Sequence, residues 1–204
     1  KIDNEPILEI ILQKIKNYGF KNFYISTFYK ANKIKKYFGS GKKWSVSIKY
    51  LDEKKQMGTA GCLSLLNTKK QKYPIILMNG DILTDVNFSN LLLYHKEKKA
   101  DVTVCVREET HQNNFGVIET KRGRFVKVVE KPITSFFVNA GIYVINPSLI
   151  KLLKKGYCDM PDFLNLLKLK RKNIQVFPVY EKWSDIGSFD NLKIAQKKTK
   201  HISS

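Results

Sequence analysis

An alternation in the first half of the chain constrains the fold more than any other feature. Segments with apolar residues at helical spacing are separated by short, wholly apolar runs. Pro6 to Tyr18 carries Ile7, Ile10, Ile11 and Ile15 on one side, with Pro6 suited to a first turn and Gly19 to a stop. Phe23 to Phe28 reads as a buried strand. Ala31 to Phe38 is a second helix, ended by Gly39-Ser40-Gly41, and Val46 to Leu51 is a strand. Ala60 to Leu66 is a short helix entered through Gly58-Thr59, and Pro74 to Met78 is a strongly apolar strand. Phe88 to Lys98 is amphipathic, and Val102 to Val106 is another buried strand. This order predicts an α/β domain with a mainly parallel sheet.

The second half has a different rhythm. Phe115 to Glu119, Phe125 to Glu130 and Phe137 to Ile145 are closely spaced strands, with Gly123 in a tight turn, and predict an antiparallel elaboration. Ser148 to Lys154 and Asp162 to Lys170 read as helices, Ile174 to Val179 as a strand, and Phe189 to Lys198 as a closing helix. With no repeat or linker, residues 1–204 read as one domain. The pattern opens on a helix, residue 1 is Lys and the first methionine is Met57. In such folds a strand and a ligand-binding loop precede the first helix, so the expectation is a domain lacking both.

Composition narrows the function classes. The chain carries a net charge of +19, but 33 of its 37 basic residues are lysines scattered over every segment. Nucleic-acid readers favour arginine for bidentate contacts, so the charge favours anionic ligands in general rather than DNA or RNA. A basic nucleic-acid module therefore rests on charge alone. No apolar run approaches a membrane span, and no signal peptide opens the chain. The three cysteines, Cys62, Cys105 and Cys158, are odd in number and far apart, which fits a reducing cytoplasm.

Several short motifs could carry chemistry. Asn79-Gly80-Asp81 directly follows an apolar strand, where open α/β sheets bind ligands, and an aspartate there is a hard ligand for Mg²⁺. Asp185, in Trp183-Ser184-Asp185-Ile186-Gly187, follows the last strand and is expected on the same rim. The plainer alternative for each aspartate is a helix cap, and for Trp183 a core position. Gly58-Thr59-Ala60-Gly61 opens a helix whose free N–H groups would favour an anion or a planar base. Upstream of it, the acceptor-only carboxylate of Glu53 could match adjacent N–H donors of guanine. Lys131 in Glu130-Lys131-Pro132 could hold a phosphate and Glu130 sugar hydroxyls, although a surface ion pair is the commoner fate. Asn139 interrupts an apolar strand and needs a partner, either ligand or backbone. His95, His111 and His201 have no ligand spacing; His95 reads as helix packing.

Each motif is weak alone, but their order is specific. Glu53, Gly58-Thr59-Ala60-Gly61, Asn79-Gly80-Asp81, Phe115-Gly116-Val117, Glu130-Lys131-Pro132, Asn139-Ala140-Gly141-Ile142-Tyr143 and Trp183-Ser184-Asp185-Ile186-Gly187 form a series. It closely resembles that of the sugar-phosphate nucleotidyltransferases, over nearly the whole chain. The resemblance implies a Rossmann-like α/β fold, a mixed, mainly parallel sheet flanked by helices, and transfer of a nucleoside monophosphate from a nucleoside triphosphate to a sugar 1-phosphate, with release of pyrophosphate. Asp81 and Asp185 look like the Mg²⁺ pair, and Lys131 like the lysine holding the sugar phosphate. Glu130, Asn139 and Gly116 resemble sugar contacts, and Glu53, Gly58 and Thr59 the base and ribose site. The Gly-Thr-Ala-Gly form with Glu53 is similar to guanylyltransferase branches acting on glucosamine 1-phosphate or mannose 1-phosphate. That implies a cytoplasmic enzyme of nucleotide-sugar and cell-surface glycan biosynthesis, with no nucleic-acid or membrane partner and an oligomeric state left open. The family's first strand, glycine-rich triphosphate loop and Pro-Lys-Pro motif are expected to be missing. The alternative is a catalytically dead, sugar-phosphate-binding or regulatory remnant.

Overall fold

The computed structural model describes residues 5–187. Helix α1 (Ile7–Asn17) leads into strand β1 (Asn22–Thr27), helix α2 (Ala31–Phe38) and strand β2 (Ser47–Asp52). A single helical turn, α3 (Gly58–Gly61), is followed by β3 (Ile75–Met78), the short strand β4 (Ile82–Thr84) and α4 (Phe88–Glu97). Then come β5 (Val102–Gln112), β6 (Val117–Lys121), β7 (Arg124–Val129) and β8 (Ile133–Ile145). Helix α5 (Met160–Leu169), β9 (Ile174–Pro178) and β10 (Trp183–Asp185) complete the described chain. The expected closing helix, Phe189 to Lys198, lies outside the described residues.

The central sheet has the order β3-β8-β5-β9. Strands β3, β5 and β9 run in one direction and β8 runs against them. Strands β1 and β2 form a separate parallel pair. The sheet is thus mixed, with mainly parallel strand directions, as the alternation implied. Its strands alternate sides with period two, as a sheet buried on both faces requires. Val102, Val104, Val106, Tyr143 and Ile145 face Met160, Phe163 and Leu167 of α5. Cys105, Ile142 and Val144 face Phe88 and Leu91 of α4. Around β1 and β2, a third cluster joins Ile25, Phe38, Trp44 and Ile48 to Leu12 of α1.

Some elements differ from expectation. Strands β4 and β10 are absent from the sequence reading because each is three residues long and exists by pairing antiparallel with the other. Asp185, which follows β9 in the chain as expected, ends a further short strand of its own. Ser148 to Lys154 is not an α-helix, since Pro147–Leu152 winds as a 3-10 helix. Strand β8, read as part of an antiparallel elaboration, is antiparallel to its neighbours but runs through the middle of the sheet between β3 and β5. The β6–β7 hairpin has the predicted tight turn, with Arg122 (φ 51°) and Gly123 (φ 78°) both left-handed.

A cleft of about 2150 Å³ lies between the β1–β2 pair and the central sheet. Successive residues of both β1 (Asn22–Ser26) and β3 (Ile75–Met78) border it, so it meets strand edges rather than faces. Among the described residues no further strand pairs with either edge. Helix α1 crosses it with Ile7, Ile11 and Ile15. This volume exceeds the roughly 300–1,000 Å³ of a small-molecule site. Ser26, Glu53, Gly58, Thr59, Asn79 and Gly80 are among its polar lining residues.

Candidate functional site

Strand β3 ends at Met78, and Asn79-Gly80 carries the chain over the sheet rim to Asp81. Asp185 arrives at the same rim because β10 pairs with β4, setting Asp185 opposite Ile82. The amide of Ile186 donates to the carbonyl of Asp81 at 2.9 Å, closing the junction. The two carboxylates converge over Gly187. A Cβ there would lie 2.7 Å from Asp81 Oδ2 and 3.1 Å from Asp185 Oδ1, so any larger residue would press on both carboxylates. Burial, and then the charge of Asp185, push the Asp81 carboxyl above its ordinary range. Two hard oxygen donors held together against their repulsion suit Mg²⁺, which takes one or two carboxylates and completes its shell with water or phosphate oxygens. Among the described residues no third His, Cys, Asp or Glu joins them.

A bulge in β8 links these two segments. Between the pairs Val104–Tyr143 and Val106–Asn139, β5 contributes one residue and β8 three, Ala140, Gly141 and Ile142. Gly141 is left-handed at φ 70°, and a Cβ on it would lie 2.9 Å from Asn79 Nδ2. The amide of Asn79 donates to Gly141 O at 3.0 Å, and the Trp183 indole donates to Ala140 O at 2.9 Å. The bulge therefore tethers the chain just before Asp81 and just before Asp185. Trp183 packs against the core, the plainer reading of it, and its indole N–H also serves this tether.

Asn139 finds its partners within its own strand. Its Nδ2 donates to Tyr143 Oη at 2.6 Å, and its Oδ1 accepts from Gly141 N at 3.0 Å. Backbone and neighbour thus satisfy the amide, and its outer side stays exposed.

In the lining of the cleft, Glu53 is held at both oxygens. Ser26 Oγ donates to Oε1 at 2.6 Å and the Met57 amide to Oε2 at 2.8 Å. A carboxylate offers about four lone-pair sites, so two remain for a ligand. The neighbouring Gly58-Thr59-Ala60-Gly61 turn corrects one expectation. Three of its four N–H groups are not free for an anion, because Thr59 N donates to Asp159 Oδ1 at 3.1 Å and Ala60 N and Gly61 N donate to Cys158 O at 2.9 and 3.0 Å. Gly58 (φ 75°) packs so closely that a Cβ would lie 2.6 Å from Cys158 O, and one on Gly61 would collide with Gly156 O. What this turn offers a ligand is its glycine surface, Gly58 and Thr59, facing the cleft.

Gly116 and Glu130 meet at the base of the β6–β7 hairpin, where a Cβ on Gly116 would lie 2.8 Å from Glu130 Oε2. Lys131 follows in a left-handed conformation (φ 45°), exposed and, among the described residues, in no salt bridge. These residues form a second group, and no hydrogen bond joins them to the aspartate pair among the described residues. Sequence reasoning missed Ser26 and Asp159. Nothing local points to Ser26. Asp159 precedes Met160-Pro161, an N-cap signature that could have singled it out as a cap but not revealed what it caps.

A protein-family model described as "Nucleotidyl transferase" matches residues 1–201. The chain is 29% identical over 203 residues to the D-glycero-alpha-D-manno-heptose 1-phosphate guanylyltransferase of Aneurinibacillus thermoaerophilus, covering 98% of this chain and 87% of that protein. It is 28% identical over 196 residues to the mannose-1-phosphate guanyltransferase of Yarrowia lipolytica, covering 90% of this chain but only 53% of that one. It thus spans about half the length of that relative. The crystal structure of HddC from Yersinia pseudotuberculosis superposes with a TM-score of 0.75 at 18% identity, covering 98% of this chain and 88% of that one. At that identity the likeness establishes the fold.

Proposed function

Because the chain belongs to the nucleotidyl transferase family, we propose that it transfers GMP from GTP to a sugar 1-phosphate and releases pyrophosphate. The observation that carries this reading is the convergence of Asp81 and Asp185 over Gly187 at the rim of the sheet. The names of its relatives, guanylyltransferases for heptose and mannose 1-phosphates, support the reaction class.

In this reading a sugar-phosphate oxygen attacks the α-phosphorus in line, a new P–O bond forms, and the bond to the β-phosphate oxygen breaks. Mg²⁺, held by Asp81 and Asp185, would supply neutralisation of phosphate charge and alignment. Glu53 takes the base. Its two remaining acceptor sites suit the adjacent N–H donors of guanine, whereas adenine presents an acceptor beside its amino group. Gly58 and Thr59 give the base and ribose a surface to pack on. Lys131 and Glu130 hold the sugar phosphate, with Gly116 leaving room beside them and Asn139 offering its exposed side. No covalent intermediate is needed, since positioning and electrostatics can drive the displacement.

The test is pyrophosphate release with GTP, ATP, UTP and dTTP, each against mannose 1-phosphate, glucosamine 1-phosphate and a heptose 1-phosphate, with Mg²⁺. Turnover with GTP and at least one sugar phosphate is the expected result. Turnover with another nucleotide and not GTP would overturn the base assignment. Binding of a sugar phosphate without any pyrophosphate release would favour a binding-only role.

A further inference from the structure

Two helix starts that lie 100 residues apart in sequence exchange their caps. Asp159 occupies the N-cap position of α5 yet makes no cap bond to its own helix. Its Oδ1 instead accepts from the Thr59 amide, in the first turn of α3, at 3.1 Å, with the Thr59 hydroxyl 3.4 Å away. In return, Thr59 Oγ1 accepts from the Met160 amide, the first of α5, at 2.8 Å. The backbone repeats the exchange. Ala60 N and Gly61 N donate to Cys158 O, and Cys158 N donates to Met57 O at 2.9 Å. Tyr157 Oη anchors the far oxygen, Asp159 Oδ2, at 2.5 Å. Gly58 and Gly61 permit the contact, because a Cβ on either would clash with the 156–158 backbone.

We propose that Asp159 is a positioning residue for the nucleotide, acting through the Gly58–Gly61 turn rather than touching the ligand. This rests on the reading that the turn and Glu53 form the base site. Several facts make Asp159 more than a local staple. Thr59 borders the cleft on one side and is held by Asp159 on the other. The same turn begins at Met57, whose amide fixes Glu53 Oε2 and whose carbonyl takes Cys158 N. One network therefore sets both the glycine surface and the carboxylate that would read the base. Glu130 and Lys131, on the β6–β7 hairpin, share none of these bonds. The clamp should therefore affect the nucleotide and not the sugar phosphate.

The experiment compares full-length wild type with Asp159→Ala, which removes the acceptor, and Asp159→Asn, which keeps a carbonyl oxygen for the Thr59 amide. Hydrogen exchange over residues 57–63 and the KM values for GTP and the sugar 1-phosphate are measured on all three. Asp159→Ala should lose protection at Thr59 to Gly61 and raise the GTP KM about tenfold, the scale of one lost cap. Its KM for the sugar phosphate should not change. Asp159→Asn should restore both readouts to within about threefold of wild type. Unchanged exchange in Asp159→Ala, or an equal rise in both KM values, would overturn the proposal. If wild type releases no pyrophosphate, the functional reading fails by itself. The clamp is then judged on exchange and on GTP-dependent protection of residues 57–63, and a turn that GTP does not protect refutes the nucleotide role.

Discussion

At the scale of single residues, the proposed metal pair and the proposed base reader lead to separate predictions. Asp81 has a carboxyl raised by burial and by Asp185. A group whose folded pKa lies above its unfolded value binds more protons folded than unfolded in the interval between them. Without metal, that interval costs stability as pH rises, and Mg²⁺ should give the stability back. Asp81→Asn should therefore melt higher than wild type in EDTA at neutral pH, gain less from Mg²⁺, and lose turnover by a factor on the order of 10²–10³. Melting curves with and without Mg²⁺, beside pyrophosphate release, check all three; a variant that melts lower in EDTA contradicts the repulsion argument. Glu53 makes a different prediction. In Glu53→Gln the side-chain oxygen must stay with the Met57 amide, because a backbone N–H can only donate. The new NH₂ then turns toward Ser26, whose hydroxyl can rotate to accept, and toward the base, where it leaves donor against donor. The preference for GTP over UTP in kcat/KM should fall by about 1–3 kcal/mol.

At the scale of elements, the bulge in β8 is where secondary structure becomes a site. Gly141→Ala would place a non-glycine residue at φ 70° and press a methyl within 2.9 Å of Asn79 Nδ2. It should cost at least about 1–2 kcal/mol in urea unfolding, and lower kcat more than it raises the GTP KM, because Asn79 leads into Asp81 and not into the Gly58–Gly61 turn. A GTP KM that rises while kcat holds would mean the bulge supports the base site instead. The same bulge marks where the sequence stops being legible. The runs Ile75 to Met78 and Val102 to Val106 could be read as buried strands because neighbours cover both their faces. The outer half of β5, Arg107 to Gln112, is polar and exposed and extends only because β8 pairs with it. Strands β4 and β10, each too short to have a period, are likewise products of partners about 100 residues away. Asp81 and Asp185 were legible as candidates since each ends an apolar or aromatic segment. The cap exchange of Thr59 and Asp159 was not, because neither residue has a local pattern that names the other.

At the scale of the whole molecule, two buried polar anchors hold different parts of the fold, and they should fail at different pH. Glu9 of α1, buried, accepts from Tyr37 Oη at 2.5 Å and Trp44 Nε1 at 2.9 Å, fastening α1 to the β1–β2 unit. The Tyr37 hydrogen bond is the main reason its carboxyl sits below the ordinary range. Its contribution is complete above about pH 4.3 and disappears only as pH falls through the lowered value. His95 of α4, also buried, ties that helix to the central sheet through Nδ1 and Thr103 Oγ1 (2.8 Å) and Nε2 and Asn146 Oδ1 (3.3 Å). Since Asn146 Oδ1 can only accept, Nε2 carries the proton and Nδ1 accepts from Thr103. Burial pushes the imidazole below its ordinary value of about 6.5, so the unfolded chain takes a proton that the folded one refuses. Stability should then start to fall below about pH 6.5, well before Glu9 is protonated, and the α4 side should loosen first. His95→Gln keeps one donor and one acceptor with no titration in this range. The urea midpoint of wild type should decline between pH 7 and pH 5 more steeply than that of His95→Gln, and the difference cancels the opposing contribution of Asp81, common to both. Parallel curves would place the acid-sensitive group elsewhere.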